Sequence, residues 1–223
     1  MALAIDAISS AHGTGSSLTF AHTCSGLNRL LVVWVSYFDS ADAPTGATYN
    51  GVAMTAIPSS TAANGNYKIA GFYLIAPATG TNNIIVSFSG AMSDMGAGAV
   101  SFTDAHQTTP LGTAVTATGT NTTPSVTVTT SAGEIVVDGL VIVHGGTLTV
   151  DGSQTQRWNS IASNGFQKYA GSTETAAGAS TPMNWSNSSS QQWAIGAVPI
   201  KPVSAGGGTV ATKMSAYRHR RAA

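Results

Sequence analysis

Charge is what this 223-residue chain has least of. Only 8% of its residues are Asp, Glu, Lys or Arg, against about 25% in ordinary soluble domains. Acid–base chemistry therefore has little to draw on. Two glutamates, Glu134 and Glu174, and seven scattered aspartates offer no converging carboxylate pair. A single cysteine, Cys24, excludes an internal disulfide and reads as a small buried apolar residue. There is no His-Glu-x-x-His, no Gly-x-Ser-x-Gly elbow and no phosphate-binding glycine loop. His12 and His22 sit near the N-terminus without Cys or carboxylate partners expected for a metal site, and Asp104-Ala105-His106 reads as a polar turn. No apolar run reaches about 18 residues, so no membrane span is expected. The opening MALAIDAISS lacks a basic region and is interrupted by Asp6, so no secretion signal is expected and the chain is expected to be made in a cytoplasm. No catalytic residue, metal site or cofactor is assigned.

What the chain does have is 29 threonines, 26 serines and 25 glycines. Threonine favours strands and glycine permits turn dihedrals, and a hydroxyl-rich, weakly charged surface suits packing within an assembly better than life as a free monomer. Periodicity is strand-like throughout. Arg29–Phe38 and Glu134–Val143 are apolar on both faces, the mark of central strands. Shorter strands are expected at 17–22, 47–49, 52–57, 68–75, 83–89, 98–103, 113–117, 125–129, 147–150, 167–174, 180–185 and 192–200. Tyr49-Asn50-Gly51-Val52 is a two-residue hairpin signal. Asn64-Gly65, Ser89-Gly90, Ala132-Gly133, Asp151-Gly152 and Asn164-Gly165 punctuate the rest. About a dozen short strands separated by such turns predict an all-β, antiparallel sandwich. No tandem repeat is found.

The charge is unevenly spread. Residues 1–200 hold four bases against nine acids, a net charge of −5, and residues 201–223 hold five bases and no acid. The expected organisation is a sandwich over 1–202, a glycine-rich linker at 203–208 and a flexible basic C-terminal tail at 209–223. Lys213, Tyr217, Arg218, Arg220 and Arg221 are the partner-docking candidates. Three readings of the tail stay open: an acidic partner surface, a solubilising end, or phosphate contact; a nucleic-acid partner is not expected for an acidic body. Of the four tryptophans, Trp34, Trp185 and Trp193 read as core. Trp158, between Arg157 and Asn159, is the exposed candidate for a glycan or partner contact.

Several stretches carry a resemblance. They are Ala47–Thr55 (ATYNGVAMT), Gly71–Gly80 (GFYLIAPATG), Ile84–Phe88, Ala99–Gly112 (AVSFTDAHQTTPLG), Ala132–Asp138 (AGEIVVD), Met183–Ser186 and Gln192–Ile200. Each alone is a strand–turn pattern. Taken in order, over roughly residues 15–202, they resemble a family of small structural proteins of tailed bacteriophages and prophages. The resemblance implies a jelly-roll-like β-sandwich on the outer surface of a virion, and it brings no catalytic residues. The function it implies is a capsid decoration or cement protein that stabilises the shell. The implied partners are the major capsid protein and neighbouring copies, as a trimer or symmetric cluster. The alternatives are a tail- or fibre-associated component, or a carbohydrate-binding module that meets cell-surface glycans through Trp158. An apolar segment at Leu3–Ile8 is expected to add to a neighbouring sheet edge.

Overall fold

A computed structural model describes residues 2–39 and 41–203. Among them every regular element is a β-strand, and all strand pairings are antiparallel. The all-β, sandwich-like class expected from the alternation is the observed one. The tail candidates Lys213, Tyr217, Arg218, Arg220 and Arg221 lie outside the described residues.

Strands β1 (Ala4–Cys24) and β8 (Gly80–Thr103) run side by side along their whole lengths, from Ala4 opposite Thr103 to Cys24 opposite Gly80. The register shifts between Gly13 and Gly15 and again between Gly15 and Ser17. Gly15 has φ +98°, a conformation that residues with a Cβ rarely adopt. There the pair bends from one layer into the next. The first half of β8 pairs with β3 (Pro44–Tyr49), and its second half pairs with β2 (Leu30–Phe38). β2 also pairs with β7 (Tyr67–Ile75), whose far side carries the short strands β5 (Thr55–Ala56) and β6 (Ala62–Asn64). β4 (Val52–Ala53) closes the Asn50-Gly51 hairpin on β3.

The second half of the chain repeats this pattern. Its eight strands are β9 (Val115–Asn121), β10 (Ser125–Thr129), β11 (Ile135–Val143), β12 (Leu148–Val150), β13 (Thr155–Ile161), β14 (Gln167–Thr175), β15 (Ser180–Asn187) and β16 (Gln191–Ile200). β9 and β10 match the two halves of β1, β11 matches β2, β12 matches β3, β13 matches β5, β14 matches β7, and β15 and β16 match the two halves of β8. Every pairing of the second set, β9–β16, β10–β15, β11–β16, β11–β14, β12–β15 and β13–β14, recurs in the first, where β4 and β6 are short additions without a counterpart. The segment expected to hold one sandwich and no repeat thus holds two eight-strand units with one connectivity.

The two units stack into four layers with three cores between them. Leu18, Phe20, Tyr49, Ile84 and Val86 face Leu31, Val33, Val35 and Phe72 inside the first unit. Val126, Val128, Met183 and Trp185 face Leu140, Ile142 and Ile195 inside the second. The middle core joins the units, with Leu30, Val32, Trp34, Val100 and Phe102 against Val137, Val141, Trp158, Tyr169 and Val198. This is why β2 and β11 are apolar on both faces: each lies between two cores.

Trp34 and Gly139 sit at matching places in β2 and β11, and across the middle core one fills the space the other leaves. A Cβ built on Gly139 would lie 2.5 Å from Trp34 Cβ, and one on Gly196 would lie 2.7 Å from the far edge of the same ring. Two tryptophans facing each other there would collide, and two glycines would leave a hole. Interiors packed to crystal density tolerate neither.

Candidate functional site

Trp158 is not the exposed platform expected. It is only 6% exposed and belongs to the middle core. Its indole lies over Gly98 of β8 and Gly171 of β14, where any Cβ would overlap the ring. The polar neighbours Arg157 and Asn159 face the other way on strand β13: Arg157 Nε donates to Thr173 Oγ1 at 2.7 Å and Asn159 Nδ2 donates to Leu148 O at 2.9 Å. A ring so enclosed is closed to a sugar. Trp34, Trp185 and Trp193 are buried, as expected.

The segment Leu3–Ile8 is also already engaged. Leu3 is buried, and Ala4–Ile8 pair with Val100–Thr103 of the chain's own β8.

One convergence of titratable groups was not legible in the sequence. Because β1 folds back on itself at Gly13–Gly15, residues far apart along it meet across the first core. Asp6 accepts from Ser25 N at 2.8 Å, from Ser25 Oγ, and from Ser101 Oγ at 2.8 Å. Ser9 Oγ lies 2.7 Å from His22 Nδ1. His22 is buried, its ring meets Tyr49 edge-on at 6.4 Å, and its Nε2 has no partner. Burial lowers its pKa to about 4 against a smaller opposing pull from Asp6. The imidazole is therefore neutral at physiological pH, with Nδ1 bonded to the serine hydroxyl. Hydrogen bonds from Ser25 and Ser101 outweigh desolvation and hold the Asp6 carboxyl below its ordinary value. Beside them Cys24 is fully buried, and desolvation raises its thiol pKa.

A serine bonded to a histidine is half of a nucleophile–base arrangement. Here the other imidazole nitrogen faces no carboxylate, and none of these residues lines a substantial cavity. The arrangement does something else. It ties the two arms of β1 together through Asp6–Ser25 and Ser9–His22.

The remaining acids are likewise spent on the fold. Asp94 accepts from Asn164 N at 3.2 Å and Phe166 N at 3.1 Å, pinning a turn of the second unit to the first. Asp138 is fully buried; it accepts from the Ser172 N–H and, at 2.8 Å, from Trp185 Nε1. That Ser172 bond lies where the β11–β14 ladder is interrupted, between Val137–Thr173 and Leu140–Ala170. Desolvation lifts the Asp138 pKa to about 7 despite the two donors. Asp104 meets Asn28 Nδ2, whereas His106 Nδ1 accepts from Thr109 N at 3.1 Å. Asp104, His106 and Asp138 share no partner. Among the described residues no three His, Cys, Asp or Glu side chains are grouped as metal ligands.

The concave feature with the best chemical character lies where the two units meet. It is a groove of about 450 Å³ lined by Ile57, Pro58, Tyr73, Pro110, Leu111 and Lys201, among others. Of the five cations in the described residues, Arg29, Lys68, Arg157 and Lys168 have partners within the protein. The ammonium of Lys201 has none among the described residues. The groove thus pairs apolar walls with the Lys201 ammonium, a combination that suits an acidic, partly apolar contact.

Comparison with known proteins returns nothing: no family model, no curated protein and no solved structure matches the chain.

Proposed function

We propose that this chain is a non-enzymatic structural component of a phage particle, seated on the outside of the capsid as a decoration protein, with each eight-strand unit a jelly roll. The connectivity supports the jelly-roll reading. With the two halves of β1 and of β8 counted as separate strands and β4 and β6 set aside, the first strand of each unit pairs with the eighth, the second with the seventh and the third with the sixth, the order left when one long antiparallel ribbon is rolled up. The virion reading rests on the resemblance of residues 15–202.

The observation that carries the decoration role is the placement of the chain ends. Ala4 lies opposite Thr103, and Val203 N donates to Asp104 O at 2.7 Å. The described chain therefore enters and leaves the body at one end, where Lys201 and its groove also lie. Residues 2–203 hold nine acids and five bases, whereas residues 204–223 hold Lys213, Arg218, Arg220 and Arg221 and no acid. A basic segment rooted beside the N-terminus lets one face reach two neighbours in a shell, either capsid subunits or the acidic body of another copy. Binding the assembled shell but not its dissociated subunits stabilises the shell by linkage.

Sedimentation of purified protein with empty heads, as full-length chain and as a 1–202 truncation, tests the proposal. Saturable co-sedimentation of the full-length chain, weakened by truncation, is the expected result. No co-sedimentation of either would remove the decoration role.

A further inference from the structure

Three asparagines in the chain precede glycine: Asn50, Asn64 and Asn164. We propose that in the folded protein Asn50 is a site of spontaneous deamidation and that the fold protects Asn64 and Asn164.

The chemistry needs only water. The Gly51 backbone nitrogen attacks Asn50 Cγ and forms a new N–C bond. The Cγ–Nδ2 bond breaks, and ammonia leaves with the proton shed by the attacking nitrogen. Water then opens the five-membered imide at one of its two carbonyls. The product is aspartate, or isoaspartate with the main chain rerouted through Cγ. Three conditions govern the rate in a fold: a free side-chain amide, a free attacking nitrogen, and a backbone that can leave its resting conformation.

Asn50 meets all three. Asn50 and Gly51 are the two central residues of the β3–β4 hairpin, with φ +50° and +75°. Both are exposed. Neither the Asn50 side chain nor the Gly51 N–H has a hydrogen-bond partner among the described residues. Cyclisation needs the backbone to leave this left-handed turn, so the hairpin must open first. Backbone bonds from Asn50 N to Asn83 O at 3.1 Å and from Met54 N to Ala47 O at 2.8 Å flank the turn, but β4 itself is two exposed residues, Val52 and Ala53, paired only with Tyr49 and Thr48. Opening it uncovers none of the three cores.

The other two pairs are held. Asn64 Nδ2 donates to Gly119 O at 2.7 Å, across to the second unit, and more weakly to Trp193 O. Asn164 Nδ2 donates to Ser93 O at 2.6 Å and its own N–H to Asp94 Oδ1 at 3.2 Å. The nitrogen that would attack, Gly165 N, is itself engaged, donating to Ala162 O at 3.0 Å. Breaking one such bond lowers the reactive population by about fivefold, so two or three together separate the sites by tenfold or more.

The test is a peptide map by mass spectrometry of the full-length protein incubated at mildly alkaline pH in heavy-oxygen water, native and in parallel in urea. Incorporation of the label reports each site, and chromatography separates aspartate from isoaspartate. In urea the three sites should convert at similar rates. In the native protein Asn50 should convert about tenfold or more faster than Asn64 and Asn164. Native conversion of Asn64 or Asn164 as fast as Asn50 would overturn the proposal. So would an intact Asn50 in the native sample after it has converted in urea.

Discussion

Two buried groups with opposite charge preferences set how the stability of this protein responds to pH. His22 is held neutral, with its pKa lowered from 6.5 to about 4. In that window the unfolded chain binds more protons than the folded one, so stability falls as pH falls, and the contribution is complete above pH 6.5. Asp138 is shifted the other way, from 3.8 to about 7. Between those values the folded chain holds the extra proton, so stability falls as pH rises, and the contribution is complete only below pH 3.8. Each group changes stability by about 1.4 kcal/mol per pH unit within its window. The windows overlap from about pH 4 to 6.5, and there the two slopes cancel. These two groups together therefore contribute a nearly flat stability across that range, and single variants should unmask their slopes. Asp138→Asn removes the falling term, so its stability should climb by about 3 kcal/mol from pH 4 to 6.5. His22→Gln removes the rising term, so its stability should drop by about 3 kcal/mol from pH 4 to 7. Asn at 138 offers one acceptor to the two donors Ser172 N and Trp185 Nε1, which lowers stability at every pH; the slope is the readout, not the offset. Urea titrations at half-unit pH steps measure it. Equal slopes in wild type and both variants would refute the reasoning.

Other consequences follow from the packing. Gly139→Val places a branched side chain 2.5 Å from Trp34 Cβ and should destabilise by about 1–3 kcal/mol or more by overpacking; a urea midpoint matching wild type would show that the units are not locked at this point. Cys24 is fully buried with a raised thiol pKa, so a thiol reagent should label it only after unfolding; rapid labelling of native protein would contradict its placement. Trp158 is enclosed by Gly98 and Gly171, so soluble oligosaccharides should leave its fluorescence unchanged; saturable quenching lost in Trp158→Phe would reopen the glycan reading.

Much of the strand inventory was legible because alternation is a local signal. β2 and β11 announce themselves as central strands, and Asn50-Gly51 as a hairpin. β13 was not legible: it is an edge strand whose one inward apolar residue, Trp158, sits among polar neighbours that face solvent or the sheet rim. The cues lay far away, in the glycines at 98 and 171 that make room for the ring. The duplication left traces of the same kind. Ala70-Gly71 recurs as Ala170-Gly171, and Gly98-Ala99-Val100 as Gly196-Ala197-Val198. These pairs are offset by 100 and 98 residues, whereas Trp34 and its counterpart Gly139 are offset by 105. Unequal loops blur the period, and complementary packing makes the matching residues differ most at the centre. The Asp6–Ser9–His22–Ser25 clasp depends on β1 folding back on itself, which no spacing along one strand reveals.

The central claim is that the body stands on a phage shell through the end bearing its termini. A reconstruction of saturated heads by electron cryomicroscopy tests it most directly. The account expects four-layered density on the outer surface with Thr103, Asp104 and Val203 nearest the shell. Bodies attached by the opposite end, or heads that remain bare at saturating protein, would contradict it.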